Sequence, residues 1–223
     1  MEIEFFEQST RTAEERIKLC KTLTPDMFSD DYLYFGYDYF DNEDYFVGYQ
    51  GYHYDGRYYK TAKKIARYYG LGKGEKVLEL GCAKGFLLVE FLNLGMDVYG
   101  VDANSYPVDN CHPDLVGKIR MGRLPDMEFE DRFFDLIISK EVLPHMEMGE
   151  LINVLEMTER ISKGNIFHEI QCGRTDEELL LMKKWDQTHK TILSPDDWLK
   201  LFKDNDYVCD YHFKVLMPIK ELK

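Results

Sequence analysis

The chain predicts a doubly wound α/β domain: a mostly parallel sheet with helices on both faces, preceded by an N-terminal helical and aromatic cap. Two observations predict it. After Gly74, short apolar runs alternate with amphipathic ones, a rhythm that needs crossover connections and so strands covered on both faces. The first of these runs, Lys76–Leu80, also passes through a tight turn of small residues straight into a helical pattern. With 223 residues, 44% hydrophobic and 31% charged, one domain can bury a sizeable core.

The elements follow in order. Thr12 and Glu15 stand at capping-box spacing, with Ala13, Ile17 and Cys20 on one face of the helix they open. From Asp30 to Gly56 helical periodicity vanishes, and glycines 36, 48, 51 and 56 punctuate an ordered aromatic loop region. A helix is expected over 57–69, with Ala62, Ile65, Ala66 and Tyr69 on one face and Gly70 as its stop. Strands are expected at Lys76–Leu80, Asp97–Val101, Gly117–Met121, Phe133–Ser139 and Asn165–Ile170, with helices at Lys84–Leu94 and Met148–Ile161. Ser194 and Pro195 open a late helix as N-cap and first residue, and 207–217 form a final strand or hairpin. Residues 1–56 are thus read as a cap segment and 57–223 as the domain proper. Trp198, Leu201 and Phe202, at helical spacing, are assigned to the core.

Charge and composition narrow the function. Acidic residues outnumber basic ones, 41 to 28, for a net charge of −13. That argues against nucleic acid or anionic lipid as the main partner. No apolar run approaches the ~20 residues of a membrane span, and Met1-Glu2-Ile3-Glu4 lacks the basic and apolar regions of a signal peptide. Five cysteines without a C-x-x-C pair suit a reducing cytoplasm and offer no zinc cluster.

The informative stretch is Val77-Leu78-Glu79-Leu80-Gly81-Cys82-Ala83-Lys84-Gly85-Phe86. Small residues after the strand let the chain approach a ligand closely, and the following helix start offers free N–H groups. Asp102 ends the next strand, 21 residues past Gly81, where a doubly wound fold presents a carboxylate to a ribose diol. The dinucleotide register G-x-G-x-x-G fails, because Ala83 occupies its second glycine position and no glycine stands at its third. The pattern acid-x-G-x-G-x-G, with alanine at its middle glycine, fits Glu79, Gly81, Ala83 and Gly85.

On these residues the sequence resembles the class I S-adenosylmethionine-dependent methyltransferases, from about residue 56 to 210. Leu78–Gly85 is similar to the family's first motif, Val98–Asp102 to its second, and Phe134–His145 to its fourth strand and the segment after it. The lead-in from Gly48 to Arg57 most resembles members that modify sugars, capsule components or other small metabolites. The resemblance implies S-adenosylmethionine as cofactor, S-adenosylhomocysteine as product, and a small-molecule acceptor, with the enzyme a monomer or homodimer. It implies that Gly81, Cys82, Ala83 and Gly85 hold the methionine part, Glu79 supports the amino group, Asp102 takes the ribose hydroxyls and Ala103 lies against the adenine. Arg123 and Leu124, after the third strand, stand where many members place an adenine-binding acid, and Ser139 ends the fourth strand.

Methyl transfer needs alignment and, for a hydroxyl acceptor, a base. His145 and Glu141, after the fourth strand, are the first candidates, as base or substrate positioner. His53 in the aromatic run and His189 in Trp185–Lys190 lie in loops that could close over the site. His112, His168 and His212 are read as structural, and since no cluster has metal-ligand spacing, no metal is expected. Ten of the sixteen tyrosines fall between Tyr32 and Tyr59. They form a lid near the sulfonium, a partner surface, or packing for the N-terminal segment. The acidic runs Asp30-Asp31 and Asp41–Asp44 are solvated faces or favour a cationic substrate. An O-methyltransferase is favoured; the alternatives are methylation of an amine or protein side chain, and a non-catalytic cofactor-binding protein.

Overall fold

The computed structural model describes residues 1–6 and 11–219. Six strands form one sheet in the order β3-β2-β1-β4-β5-β6, comprising β1 (Lys76–Leu80), β2 (Asp97–Asp102), β3 (Ile119–Met121), β4 (Leu136–Lys140), β5 (Ile166–Gln171) and β6 (Asp210–Lys214). Every strand pairing in it is parallel. The strand order reverses between β1 and β4, where doubly wound sheets bind ligands beyond the carboxyl ends. The region 207–217 supplies one parallel strand and not a hairpin. Its outer edge is partly covered by the N-terminus, where the Ile3 amide donates to the Tyr211 carbonyl at 2.7 Å.

Helices cover both faces because their apolar stripes demand it. On one face α7 (Met148–Ile161) and α9 (Pro195–Asp204) bury Leu151, Val154 and Trp198 against Leu78, Leu80 and Ile137. On the other, α4 (Tyr59–Tyr69) and α5 (Phe86–Asn93) bury Ile65, Leu88 and Phe91 against Val77, Val98 and Phe167. Gly70 ends α4 at φ 65°, and the Ser194 hydroxyl caps α9 by accepting from the Asp197 amide at 3.2 Å. Helix α5 begins at Phe86, two residues later than its pattern suggests, because Gly85 sits at φ 78° and completes the turn.

The N-terminal segment contains α1 (Ala13–Cys20), α2 (Asp30–Leu33) and α3 (Tyr37–Phe40). The capping box that opens α1 is formed, with Thr12 and Glu15 exchanging hydrogen bonds of 2.7 and 3.2 Å. The aromatic stretch expected as loop therefore holds two single-turn helices, α2 and α3. Its rings form a third cluster in which Tyr32, Tyr39, Phe40 and Tyr52 pack with Phe86 of α5 and with Trp185 of α8 (Asp176–Trp185). The boundary at residue 56 does not separate two cores. Phe5 and Phe6 pack with Ala62 and Phe167 in the domain's own cluster, and Tyr52 joins the cap to α5.

Candidate active site

The turn after β1 is built for close approach. Gly81 and Gly85 take φ values of 60° and 78°, and Ala83 adopts 49°. A side chain at 81 would strike Val142, and one at 85 would strike Leu115 and Ile119. Only glycine fits both positions. The Cys82 side chain points into the core beneath Gly100 and can offer a ligand nothing but its backbone.

Two carboxylates flank the turn. Asp102, buried at the end of β2, accepts from the Ala83 amide at 2.9 Å and from the Asn104 amide at 3.0 Å. Burial raises its pKa against the pull of these amides. Each oxygen keeps a lone pair for a hydroxyl donor. Glu79 lies inside β1 with no hydrogen-bond partner on its buried Oε2. Burial, reinforced by Asp102 and opposed by Lys140, lifts its pKa to about 8. A buried acceptor in this state awaits a cationic donor. The orphaned Glu79 oxygen, the paired glycines and Asp102 thus fit a ligand carrying an ammonium and a diol, as the expected cofactor does.

Other expected contacts fall elsewhere. Ser139 is fully buried, and its hydroxyl meets His168 Nδ1 at 2.7 Å, with His168 Nε2 on the Tyr207 hydroxyl at 2.8 Å. That side chain faces α7 and α9, not the turn. Arg123 lies on the surface and pairs with Glu150 at 3.1 Å, while Leu124 belongs to the core. Ala103 is exposed beside Asp102.

The candidates for acceptor chemistry also separate. Glu141 follows β4 at φ 60°, a strained conformation for a side chain of its size. Its carboxylate accepts from Gln171 Nε2 at 2.7 Å, lies 3.3 Å from Lys140 and pairs with Lys214. Burial pushes its pKa up, but the two lysines hold it well below the usual range. It stays ionised and occupied, which makes it a poor base. His53 is exposed and outside the cavity lining. His189 does not sit in a closing loop but is buried beside Asp186.

His145 is held by residues that sequence spacing does not connect to it. The Thr188 hydroxyl lies 2.5 Å from Asp186 Oδ1 and 2.9 Å from His145 Nδ1. Its single proton serves the carboxylate, so it accepts from Nδ1–H, and the lone pair of His145 resides on Nε2. Asp186 is held below the ordinary carboxylate range, burial notwithstanding, by His189, His145 and Thr188. The field of His145 also reaches Asp102. His145 thus stands within electrostatic reach of both Asp102 and Asp186.

A cavity of about 430 Å³ opens beyond β4 and β5. Its wall includes Lys140, Glu141 and Gln171 from the strand ends, Arg57 and Tyr58 before α4, and Tyr32, Tyr39 and Tyr49 from the cap. It adjoins Glu79 through Lys140, whose charge acts on that carboxyl. None of residues 81–85 lines it, because the cap covers the turn. Buried Lys84 reaches across to Asp41 at 2.6 Å and to the Tyr52 carbonyl at 3.1 Å, and Tyr106 donates to Asp41 at 2.7 Å. Among the three readings of the tyrosine run, packing of the segment onto the domain is visible here.

Residues 52–212 match the family described as "Methyltransferase domain". The chain resembles the YcgJ protein of Bacillus subtilis (TM-score 0.55, 18% identity, 65% of this chain and 66% of that one). It also resembles a SAM-dependent methyltransferase of Archaeoglobus fulgidus (TM-score 0.53, 20% identity, 65% and 66%). Over 84 residues it is 31% identical to the Escherichia coli O-antigen chain terminator bifunctional methyltransferase/kinase WbdD, a match covering 34% of this chain and 12% of that much longer protein. No helix among the described residues is long and apolar enough to cross a membrane. The chain belongs to the methyltransferase-domain family and shares the fold of the solved methyltransferases it resembles.

Proposed function

We propose that the enzyme methylates an oxygen of a small, hydroxyl-rich acceptor, a sugar or the end of a glycan, bound in the cavity beyond β4 and β5. The charge of that cavity carries the reading. In a chain of net charge −13, its wall holds five cations (Arg11, Arg16, Arg57, Lys140 and Lys214) against three carboxylates (Asp55, Glu141 and Asp186). A cationic amine would be repelled there, whereas a neutral or anionic oxygen-rich molecule would not. Tyrosine faces and the amides of Gln50 and Gln171 suit alternating apolar and hydroxyl surfaces. The acidic runs of the cap are then no cation trap: Asp41 is taken up by Lys84 and Tyr106, and Asp30, Asp31, Glu43 and Asp44 are exposed. The chain-terminator name of the Escherichia coli relative agrees with a glycan acceptor.

The cofactor supplies the electrophilic methyl group. Gly81–Gly85, Glu79 and Asp102 bind and orient it, and the cap excludes water. Positioning of this kind can lower a barrier by on the order of 7–11 kcal/mol. His145, within electrostatic reach of both Asp102 and Asp186, is the candidate that links the two sides. The test is transfer of labelled methyl from S-adenosylmethionine to panels of neutral sugars, sugar phosphates and amines. Label in the sugar panels supports the reading; label confined to amines overturns it.

A further inference from the structure

His189 takes no part in that reading, yet it is conspicuous by its chemistry. Its side chain is wholly buried, and apart from the nearby Met182 carbonyl neither ring nitrogen meets a hydrogen-bond partner. Buried imidazole nitrogens are almost always paired, with protein, water or an ion. Its Nε2 lies 4.0 Å from Asp186 Oδ2, and its ring centroid is 4.6 Å from that of His145. One ligand atom from each of His145, Asp186 and His189 lies within 4.8 Å of the others.

The surroundings prepare these atoms for an ion. Asp186 Oδ1 is occupied by the Thr188 amide at 2.9 Å and the Thr188 hydroxyl at 2.5 Å, whereas Oδ2 receives a long 3.4 Å contact from the Tyr39 hydroxyl, with the Tyr32 hydroxyl also on this carboxylate. His145 donates Nδ1–H to the Thr188 hydroxyl at 2.9 Å, leaving Nε2 for a ligand. Anchoring one imidazole nitrogen through a carboxylate-bound group and freeing the other is how metal-ligating histidines are oriented.

We propose that His145, Asp186 and His189 bind a divalent first-row transition-metal ion at the wall of the acceptor cavity. Two imidazoles and one carboxylate suit Zn²⁺ or Fe²⁺ and not the all-oxygen shells of Ca²⁺ or Mg²⁺. Ligand distances of about 2.0–2.2 Å place ligand atoms about 3.3 Å apart in a tetrahedral shell, so the three groups must draw together by no more than about 1.5 Å. The absence of ligand spacing in the sequence is no obstacle, since α8 brings Asp186 and His189 to a histidine more than forty positions earlier. Because Asp186 lines the cavity, the ion would stand where it could polarise an acceptor hydroxyl, and His145 would then act through it.

The test uses full-length, tag-free protein stripped by chelator and titrated calorimetrically with Zn²⁺, without cofactor or acceptor. We expect one ion per chain at micromolar affinity or tighter, at least 100-fold weaker binding in His189→Ala and Asp186→Asn, and ~10–100-fold weaker binding in Thr188→Val. His212→Ala, outside the cluster, should bind as wild type does. Should a variant fail to fold, Co²⁺ added to the wild type decides: intense visible bands of a low-coordinate site support the proposal, and the weak spectrum of hydrated Co²⁺ overturns it. Failure of the stripped wild type to bind Zn²⁺, or undiminished affinity in both ligand variants, also overturns it. A parallel titration with S-adenosylhomocysteine reports cofactor binding, so loss of the metal proposal is distinguishable from loss of the methyl-transfer reading.

Discussion

Glu79→Gln probes the cofactor site through stability as well as affinity. The wild-type carboxyl is 5% exposed, and one of its oxygens has no partner. Burial lifts its pKa from an ordinary 4.5 to about 8. Between these values the folded chain keeps a proton that the unfolded chain has lost. Stability therefore falls as pH rises through that window, and the deficit is complete above about pH 8. At about 1.4 kcal/mol per pH unit the ceiling is about 5 kcal/mol, and relaxation around a buried charge lowers the expectation to about 2–4 kcal/mol. Glutamine has nothing to ionise. Denaturant unfolding of both proteins should show a small difference at pH 5 and a growing advantage for the variant up to pH 8, then a plateau. The same change should weaken S-adenosylhomocysteine by about 1.5–3 kcal/mol, the range for a hydrogen bond to a charged group. A stability difference independent of pH, or a variant less stable than wild type at pH 9, would refute the reasoning.

Asp102→Ala should weaken S-adenosylhomocysteine by about 1.5–3 kcal/mol in calorimetry; unchanged affinity would remove it from the site. Ser139→Ala should leave that affinity intact while lowering unfolding stability by about 1–3 kcal/mol, because it orphans one nitrogen of buried His168. Asp41→Ala removes the partner of Lys84 and should cost about 1.5–3 kcal/mol, with faster proteolysis within residues 30–56. Unaltered cleavage there would mean that this contact does not hold the cap down.

What the sequence reveals depends on how far apart the cooperating residues lie. β1 and α7 were readable to the residue, since an apolar run and a periodic stripe each carry their own signal. The Glu79–Gly85 turn and Asp102 were readable because backbone geometry demands small residues and an acid at fixed spacing. α2 and α3 span four residues each, too few for periodicity to register. α8 was missed, although Thr175 and Glu178 stand at capping-box spacing and the Thr175 hydroxyl does cap the helix. The side chains of Ser139 and Arg123 turn to His168 and Glu150, which position at or after a strand end does not reveal. Asp186 and Thr188 were invisible as partners of His145, a relation that only the packing of α8 creates.

The most direct test of the account is a calorimetric titration of the purified protein with S-adenosylhomocysteine, with NADH as control, repeated in buffers of different ionisation enthalpy. The account predicts one S-adenosylhomocysteine per chain at micromolar affinity, no NADH binding, and proton release near pH 7 as the ligand's ammonium draws the proton from Glu79. Binding of NADH, or binding of S-adenosylhomocysteine with no proton released, would contradict it.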